Sequence, residues 1–198
     1  MTDFPLSWIL CAFVGYLLGS LPFAVVVSRC FQLPDPRHYG SGNPGATNVL
    51  RSGHKVAAAL TLLGDAFKGW LPMFLAGQAG FGFHSIALAG AGAFIGHLFP
   101  LFMGFKGGKG VATALGVLAG FSASLSVLCA LVWLAVAAVF RYSSAAALCA
   151  ALSAPALAWV LVGPLACAYV GALSAVLIAR HRANILRLIA GTEGKIGR

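Results

Sequence analysis

Acidic side chains are nearly missing from this chain. Four Asp and Glu stand against 13 Lys and Arg in 198 residues, and charged residues of both signs make up only 9%. A soluble domain usually carries about a quarter charged residues, so an ordinary water-exposed surface is excluded. Cysteine is sparse and scattered: Cys11, Cys30, Cys129, Cys149 and Cys167 include no CxxC pair, and most sit in apolar runs. An odd, dispersed set reads as small buried hydrophobes and points to neither a disulfide framework nor a zinc site. The N-terminus lacks a basic n-region and more apolar segments follow, so the first run is expected to be a membrane helix, not a cleaved signal peptide. Internal repeats of the kind common in transporters are also missing.

What is present is apolar. The chain is 60% hydrophobic with mean hydropathy +0.93, which makes it an integral membrane protein with one expected domain, 1–198. The formal charge of +9 would suggest nucleic acid in a soluble protein. Here the positive-inside rule accounts for much of it, no nucleic-acid partner is expected, and the remainder suits anionic substrates.

The apolar runs set the topology. Residues 4–28 carry no charge and exceed the roughly 20 residues that cross a bilayer core. Gly15, Gly19 and Ser20 suit close helix packing there, and Pro22 a kink. Residues 56–76 form a second span holding Asp65 and Lys68, three apart on one helical face. Ionisable groups at such depth are costly, and a structural ion pair is favoured over direct catalysis. Residues 83–102 form a third span that ends at His97 and Pro100. Residues 110–140 are uncharged and too long for one crossing. Gly116, Gly120 and Ser122 offer a break, giving a short fourth span near 111–119 and a fifth near 121–140. Residues 142–179 divide at Gly163-Pro164 into a sixth and a seventh.

All the basic residues but Lys68 lie in four places: residues 29–55, Lys106–Lys109, Arg141 and the tail from Arg180. With seven spans these fall on one side, and the uncharged turns near residues 77–82, 120 and 163 fall on the other. The expected fold is all-α, a polytopic membrane protein of seven transmembrane helices with its N-terminus outside and its C-terminus cytoplasmic.

Three polar clusters then share the cytoplasmic surface. The first, GSGNPGATNVLR at residues 40–51, gathers turn residues around Ser41, Gly42 and Asn43, followed by Thr47, Asn48 and Arg51. If residues 46–55 are helical, Thr47 and Arg51 share a face. Hydroxyls and amides beside an arginine suit a phosphate and a polyol. The second, GHLFPLFMGFKGGKGVAT at residues 96–113, carries Lys106, Gly107, Gly108 and Lys109 just before an apolar helix. Glycine allows close backbone approach, successive N–H groups cradle anions, and the helix N-terminus adds its dipole. It is not a Walker A loop, since Gly110 follows Lys109 and no strand pattern precedes it. The bland alternative is a turn whose lysines meet lipid headgroups. The third, HRANILRLIAGTE at residues 181–193, sets His181, Asn184 and Arg187 along one helical stripe. His181 is a candidate general acid or base, Asn184 an oxyanion donor and Arg187 a phosphate ligand. The alternative there is a basic juxtamembrane helix on anionic lipid.

In order, spacing and chain size, these three motifs resemble the bacterial acyl-phosphate:glycerol-3-phosphate acyltransferase family over essentially the whole sequence. The resemblance implies transfer of a fatty acyl group from acyl phosphate to the 1-position of glycerol 3-phosphate, giving lysophosphatidic acid and inorganic phosphate. This is the first acylation of bacterial phospholipid synthesis, carried out at the inner membrane with the active site facing the cytoplasm. It implies no cofactor and no metal, and it leaves room for contact with the enzyme that makes acyl phosphate. Ser41, Lys109, His181 and Asn184 match the family's catalytic positions. Gly42, Asn43, Thr47, Asn48, Arg51, Lys106, Gly107, Gly108, Ser144, Arg187 and Glu193 are expected to bind substrate, with Gly107 and Gly108 offering backbone N–H groups. The soluble-headed glycerolipid acyltransferases carry an H-x4-D pair, and none of the five histidines here has Asp five residues later. An acyl phosphate already has a good leaving group, so the enzyme need mainly hold two anions and stabilise an oxyanion. The proton acceptor is either His181 or a substrate phosphate oxygen, and a covalent Ser41 intermediate is a third route. A transporter for a phosphorylated solute and a lipid-binding scaffold are the readings from other classes.

Overall fold

A computed structural model describes residues 5–196, and among them every regular element is helical. In chain order these are α1 (Pro5–Gly19), α2 (Phe23–Cys30), α3 (Ala46–Leu50), α4 (Lys55–Gln78), α5 (Phe83–Leu98), α6 (Val111–Phe121), α7 (Ala123–Phe140), α8 (Ser143–Leu161), α9 (Pro164–Arg180) and α10 (Arg182–Ile189). A single 3₁₀ turn, Leu101–Met103, follows α5. Helices prevail because a bilayer core offers no water to unpaired backbone groups, and a helix satisfies them within one segment. The helices group into two compact units that divide at Gly120–Phe121.

The first unit is built on the seam between α1 and α5. A Cβ on Gly15 or Gly19 would overlap the Ala89 or Ala93 carbonyl of α5, and one on Gly92 or Gly96 would overlap the Ala12 or Tyr16 carbonyl of α1. Small residues on both sides let the two backbones approach closely, as membrane helices do where packing replaces the hydrophobic drive. The expected kink at Pro22 is a full break. α1 ends at Gly19, Ser20 Oγ donates to Tyr16 O at 2.8 Å, and α2 begins at Phe23. The Leu21 carbonyl at the break accepts from Lys68 Nζ at 2.7 Å, and Lys68 pairs with Asp65 at 2.8 Å. Both charged side chains are almost completely buried. Removing one partner of such a pair costs roughly 3–5 kcal/mol, because the other charge is left uncompensated.

The second unit is an antiparallel run of α7, α8 and α9, with α10 bent from α9 by 59° at His181. α7 starts after Ser122, which is extended (φ −163°), so the break in residues 110–140 falls there. Gly116 lies inside α6, where it lets the helix approach Ala66 of α4. The tail folds back on the α7–α8 turn: Ile196 N donates to Arg141 O at 2.7 Å, and Arg141 Nη2 donates to Ile196 O at 3.1 Å.

Among the described residues, four stretches are long and apolar enough to cross a membrane: Pro5–Cys30, Phe83–Met103, Ala123–Phe140 and Ser143–Leu161. The bent pair α9 and α10 makes a fifth when counted as one span. α4, with 24 residues, is about 36 Å long but carries Lys55, Asp65 and Lys68. α6, with 11 residues, is about 16 Å long, roughly half a hydrocarbon core.

Candidate active site

In the first unit two loops and one buried polar cluster line a common narrow cleft. Pro44 comes from the first motif, Gly107 and Gly108 from the second, and Asp65, Lys68 and His97 from α4 and α5. The first loop is folded around Asn48. This side chain is buried, accepts from Ser41 N at 3.0 Å, and donates to Pro36 O at 2.6 Å and Tyr39 O at 3.2 Å. Both amide hydrogens and the amide oxygen therefore serve the loop, and Asn48 acts as its staple. α3 stops at Leu50, with Arg51 as its C-cap, so the expected helix over residues 46–55 is only its first turns. Ser41, Gly42, Thr47 and Arg51 are exposed, and Asn43 is half-buried. Before this loop Asp35 accepts from Arg37, which holds its carboxyl down at about 2.

The second loop is clamped to the end of α5. A helix's last carbonyls have no intrahelical donor, and here the loop supplies two: Gly107 N donates to Leu98 O and Gly108 N to His97 O, both at 3.2 Å. The glycines are required by space. A Cβ on Gly107 would overlap the His97 carbonyl, and one on Gly108 would overlap the His97 ring at Nε2. The two N–H groups expected to cradle phosphate donate here to the carbonyls that end α5. The loop also presents Lys109, half-buried, just before α6, and Lys106, exposed.

In the second unit Glu193 gathers the third motif. Its Oε1 accepts from Ser144 Oγ and from Asn184 Nδ2, each at 2.6 Å, and its Oε2 accepts from Arg187 Nε at 2.7 Å. The sequence explains the reach. Gly191 adopts φ +69° after α10, Thr192 N donates to Arg187 O and Gly191 N to Leu188 O. That is a Schellman turn, and it returns the chain along the helix it has just left. Partial burial pushes the Glu193 carboxyl up, but hydrogen bonds from Ser144, Asn184 and Arg187, with the Arg187 charge, outweigh it and hold the carboxyl below its ordinary value. A carboxylate repels phosphate, so Glu193, expected to bind substrate, is seen here binding Ser144, Asn184 and Arg187.

A stability prediction follows from that direction. A group with a lowered folded-state pKa adds stability above its unfolded value, near 4.5, and loses it as pH falls through the folded value. The melting-temperature gap between wild type and Glu193→Gln should therefore be widest near neutrality and close as the pH is taken below 4.5. A gap independent of pH down to the acid limit of the fold would contradict it.

His181 is buried at the α9–α10 bend, with Nδ1 2.8 Å from Leu177 O. A carbonyl oxygen only accepts, so Nδ1 carries a proton and the neutral ring keeps the lone pair on Nε2. The ring is thereby fixed in orientation and tautomer. Asn184, one turn on, is also buried.

The glycerol-3-phosphate acyltransferase family model matches residues 9–191. The chain belongs to this family. Among its relatives, the glycerol-3-phosphate acyltransferase of Bordetella petrii is 55% identical over 93% of this chain and 91% of its own, and that of Aromatoleum aromaticum is 55% identical over 97% and 98%. The crystal structure of PlsY (YgiH), an integral membrane glycerol 3-phosphate acyltransferase in its glycerol 3-phosphate form, matches with TM-score 0.88 at 38% identity, covering 96% of each chain. The acyltransferase is therefore a multi-pass membrane enzyme of phospholipid synthesis. In the sequence His97 is marked only as the end of the third span, and the structure adds that it is buried and lines the cleft. The available signal was position: His97 is an ionisable residue closing an apolar span, as Asp65 and Lys68 are inside another.

Proposed function

We propose that this acyltransferase moves a fatty acyl group from acyl phosphate to the 1-position hydroxyl of sn-glycerol 3-phosphate, releasing lysophosphatidic acid and inorganic phosphate. The observation that carries the reading is the pairing of cationic, donor-rich motifs with a near absence of carboxylates in a chain of this family. Both substrates are phosphate anions, and the leaving phosphate needs little activation. Lys109 and Arg51 hold phosphate by charge. Ser41 and Asn184 donate to substrate oxygens, the latter toward the tetrahedral oxyanion. Arg187 and Ser144 add phosphate contacts on release from Glu193, which orients them. His181 serves the attacking hydroxyl through Nε2, as base or as donor. The chain acts without cofactor, as one domain, in the cytoplasmic membrane and in contact with its lipid.

Purified enzyme in bilayer-like micelles tests this. Phosphate should be released from acyl phosphate only when glycerol 3-phosphate is present, with lysophosphatidic acid formed in equal amount. Release without glycerol 3-phosphate, or activity with acyl-CoA alone, would overturn the donor assignment.

The proposed topology has seven spans, N-terminus outside and motif loops in the cytoplasm. In a variant whose native cysteines are replaced, a cysteine at Gly80 should react with an impermeant reagent in intact cells, and one at Thr192 should react only after lysis. Equal behaviour of the two sites would refute it.

A further inference from the structure

We propose that His97, backed by Asp65, is a positioning residue that holds the loop carrying Lys109. The inference rests on the reading of Lys109 as a phosphate anchor. His97 lies in the last turn of α5 and is buried. On one side its Nδ1 is 3.5 Å from Asp65 Oδ1, the same oxygen that Lys68 holds at 2.8 Å, and Lys68 is itself tied to the Leu21 carbonyl at the α1–α2 break. The 3.5 Å contact is longer than a good hydrogen bond, so the Asp65 carboxylate faces this edge of the ring, and Asp65 is itself held through Lys68 to the break. On the other side the ring meets the second loop. Its Nε2 edge occupies the space a Cβ on Gly108 would need, and its own carbonyl accepts from Gly108 N. One residue thus grips the loop by ring and by backbone, immediately before Lys109.

Two considerations separate this from simple packing. Apolar residues of similar volume usually serve stability as well as a buried ionic group does, so stability alone explains His97 poorly. A loop with glycines at 104, 107, 108 and 110 also has wide backbone freedom. A lysine placed on such a loop binds an anion well only if the backbone beneath it is fixed by neighbouring groups. The His97 ring and carbonyl supply that fixation at Gly108, with the Asp65 carboxylate facing the ring's other edge, and both residues line the same cleft as Pro44 of the first motif.

The test compares wild type, His97→Ala, His97→Asn, Asp65→Asn and the Asp65→Asn/His97→Ala double variant, with glycerol 3-phosphate and acyl phosphate varied in turn. His97→Ala and Asp65→Asn should each raise, on the order of tenfold, the KM of the same substrate whose KM rises in Lys109→Ala, with kcat nearly kept. His97→Asn retains an N–H near the Nδ1 position and should fall between them and wild type. The double variant should raise KM no further than the larger single rise, since on the loop both act through one contact, while the loss of Lys68's partner in Asp65→Asn shows separately as a lower melting temperature. A role confined to packing would lower melting temperature and active fraction and leave KM alone. That result overturns the proposal, as does a KM rise for the other substrate only, or failure of every single variant to accumulate folded. Where His97→Ala alone does not fold, His97→Asn and Asp65→Asn carry the same prediction. A wild-type enzyme inactive with both substrates refutes the functional reading itself, whereas an active wild type with unchanged variants refutes only this inference.

Discussion

His181→Ala is expected to lower kcat by about 10²–10⁴-fold, the range for loss of a positioned acid or base. The Leu177 carbonyl holds Nδ1–H, and burial at the α9–α10 bend leaves little room for the ring to turn. A histidine held this way has Nε2 as the ring nitrogen left for proton transfer or donation in the proposed reaction. Two forms of the chemistry give different second results. If Nε2 takes the hydroxyl proton, activity should fall as pH drops through an imidazole pKa, ordinarily near 6.5, and neither His181→Asn nor His181→Gln should restore it. If a substrate phosphate oxygen takes the proton and His181 only donates, those two variants should keep measurable turnover with a flatter pH profile. The scarcity of carboxylates near any base favours the second form. A His181→Ala enzyme with wild-type kcat and KM would remove the residue from the site and discredit the reading of the third motif.

The helices were legible because the membrane makes them so: hydropathy alone marks where the backbone must satisfy itself. The apolar runs expected at residues 4–28, 56–76, 83–102 and 111–119 correspond to α1 with α2, α4, α5 and α6, and those over 121–179 to α7, α8 and α9. What the sequence leaves unread is the partner each polar group takes once the chain folds. Gly107 and Gly108 read as open N–H donors, because nothing local says that α5 ends with two unsatisfied carbonyls within their reach. Asn48 reads as a substrate ligand, and the fold adds partners at Pro36, Tyr39 and Ser41 that the motif does not reveal. Glu193 read as a substrate contact, though Gly191 could have predicted the turn that aims it at Arg187 and Asn184. Short motifs reveal which groups a site needs, and they do not reveal which of those groups touch the ligand.

Lys109→Ala should raise KM by about 10–100-fold, the equivalent of losing a charge-assisted bond of roughly 1.5–3 kcal/mol. Lys109 belongs to the glycine loop that precedes α6. Its backbone donors at Gly107 and Gly108 are occupied by α5, so the charge of Lys109 and the N-terminus of α6 beginning at Val111 remain as its means of attracting an anion. A lysine acts as a point charge on phosphate, with no bidentate geometry to be tuned between ground and transition state. Much of its attraction should persist from bound substrate to transition state, and such uniform binding appears in KM more than in kcat. Lys109→Arg keeps the charge on a longer, planar head and should recover part of the affinity. Lys106→Ala, at an exposed position in the same loop, should cost much less, because solvent and salt screen its charge. If Lys106→Ala raised KM as strongly as Lys109→Ala, the loop would be acting as a diffuse basic patch, and the assignment of Lys109 as the phosphate anchor would fail.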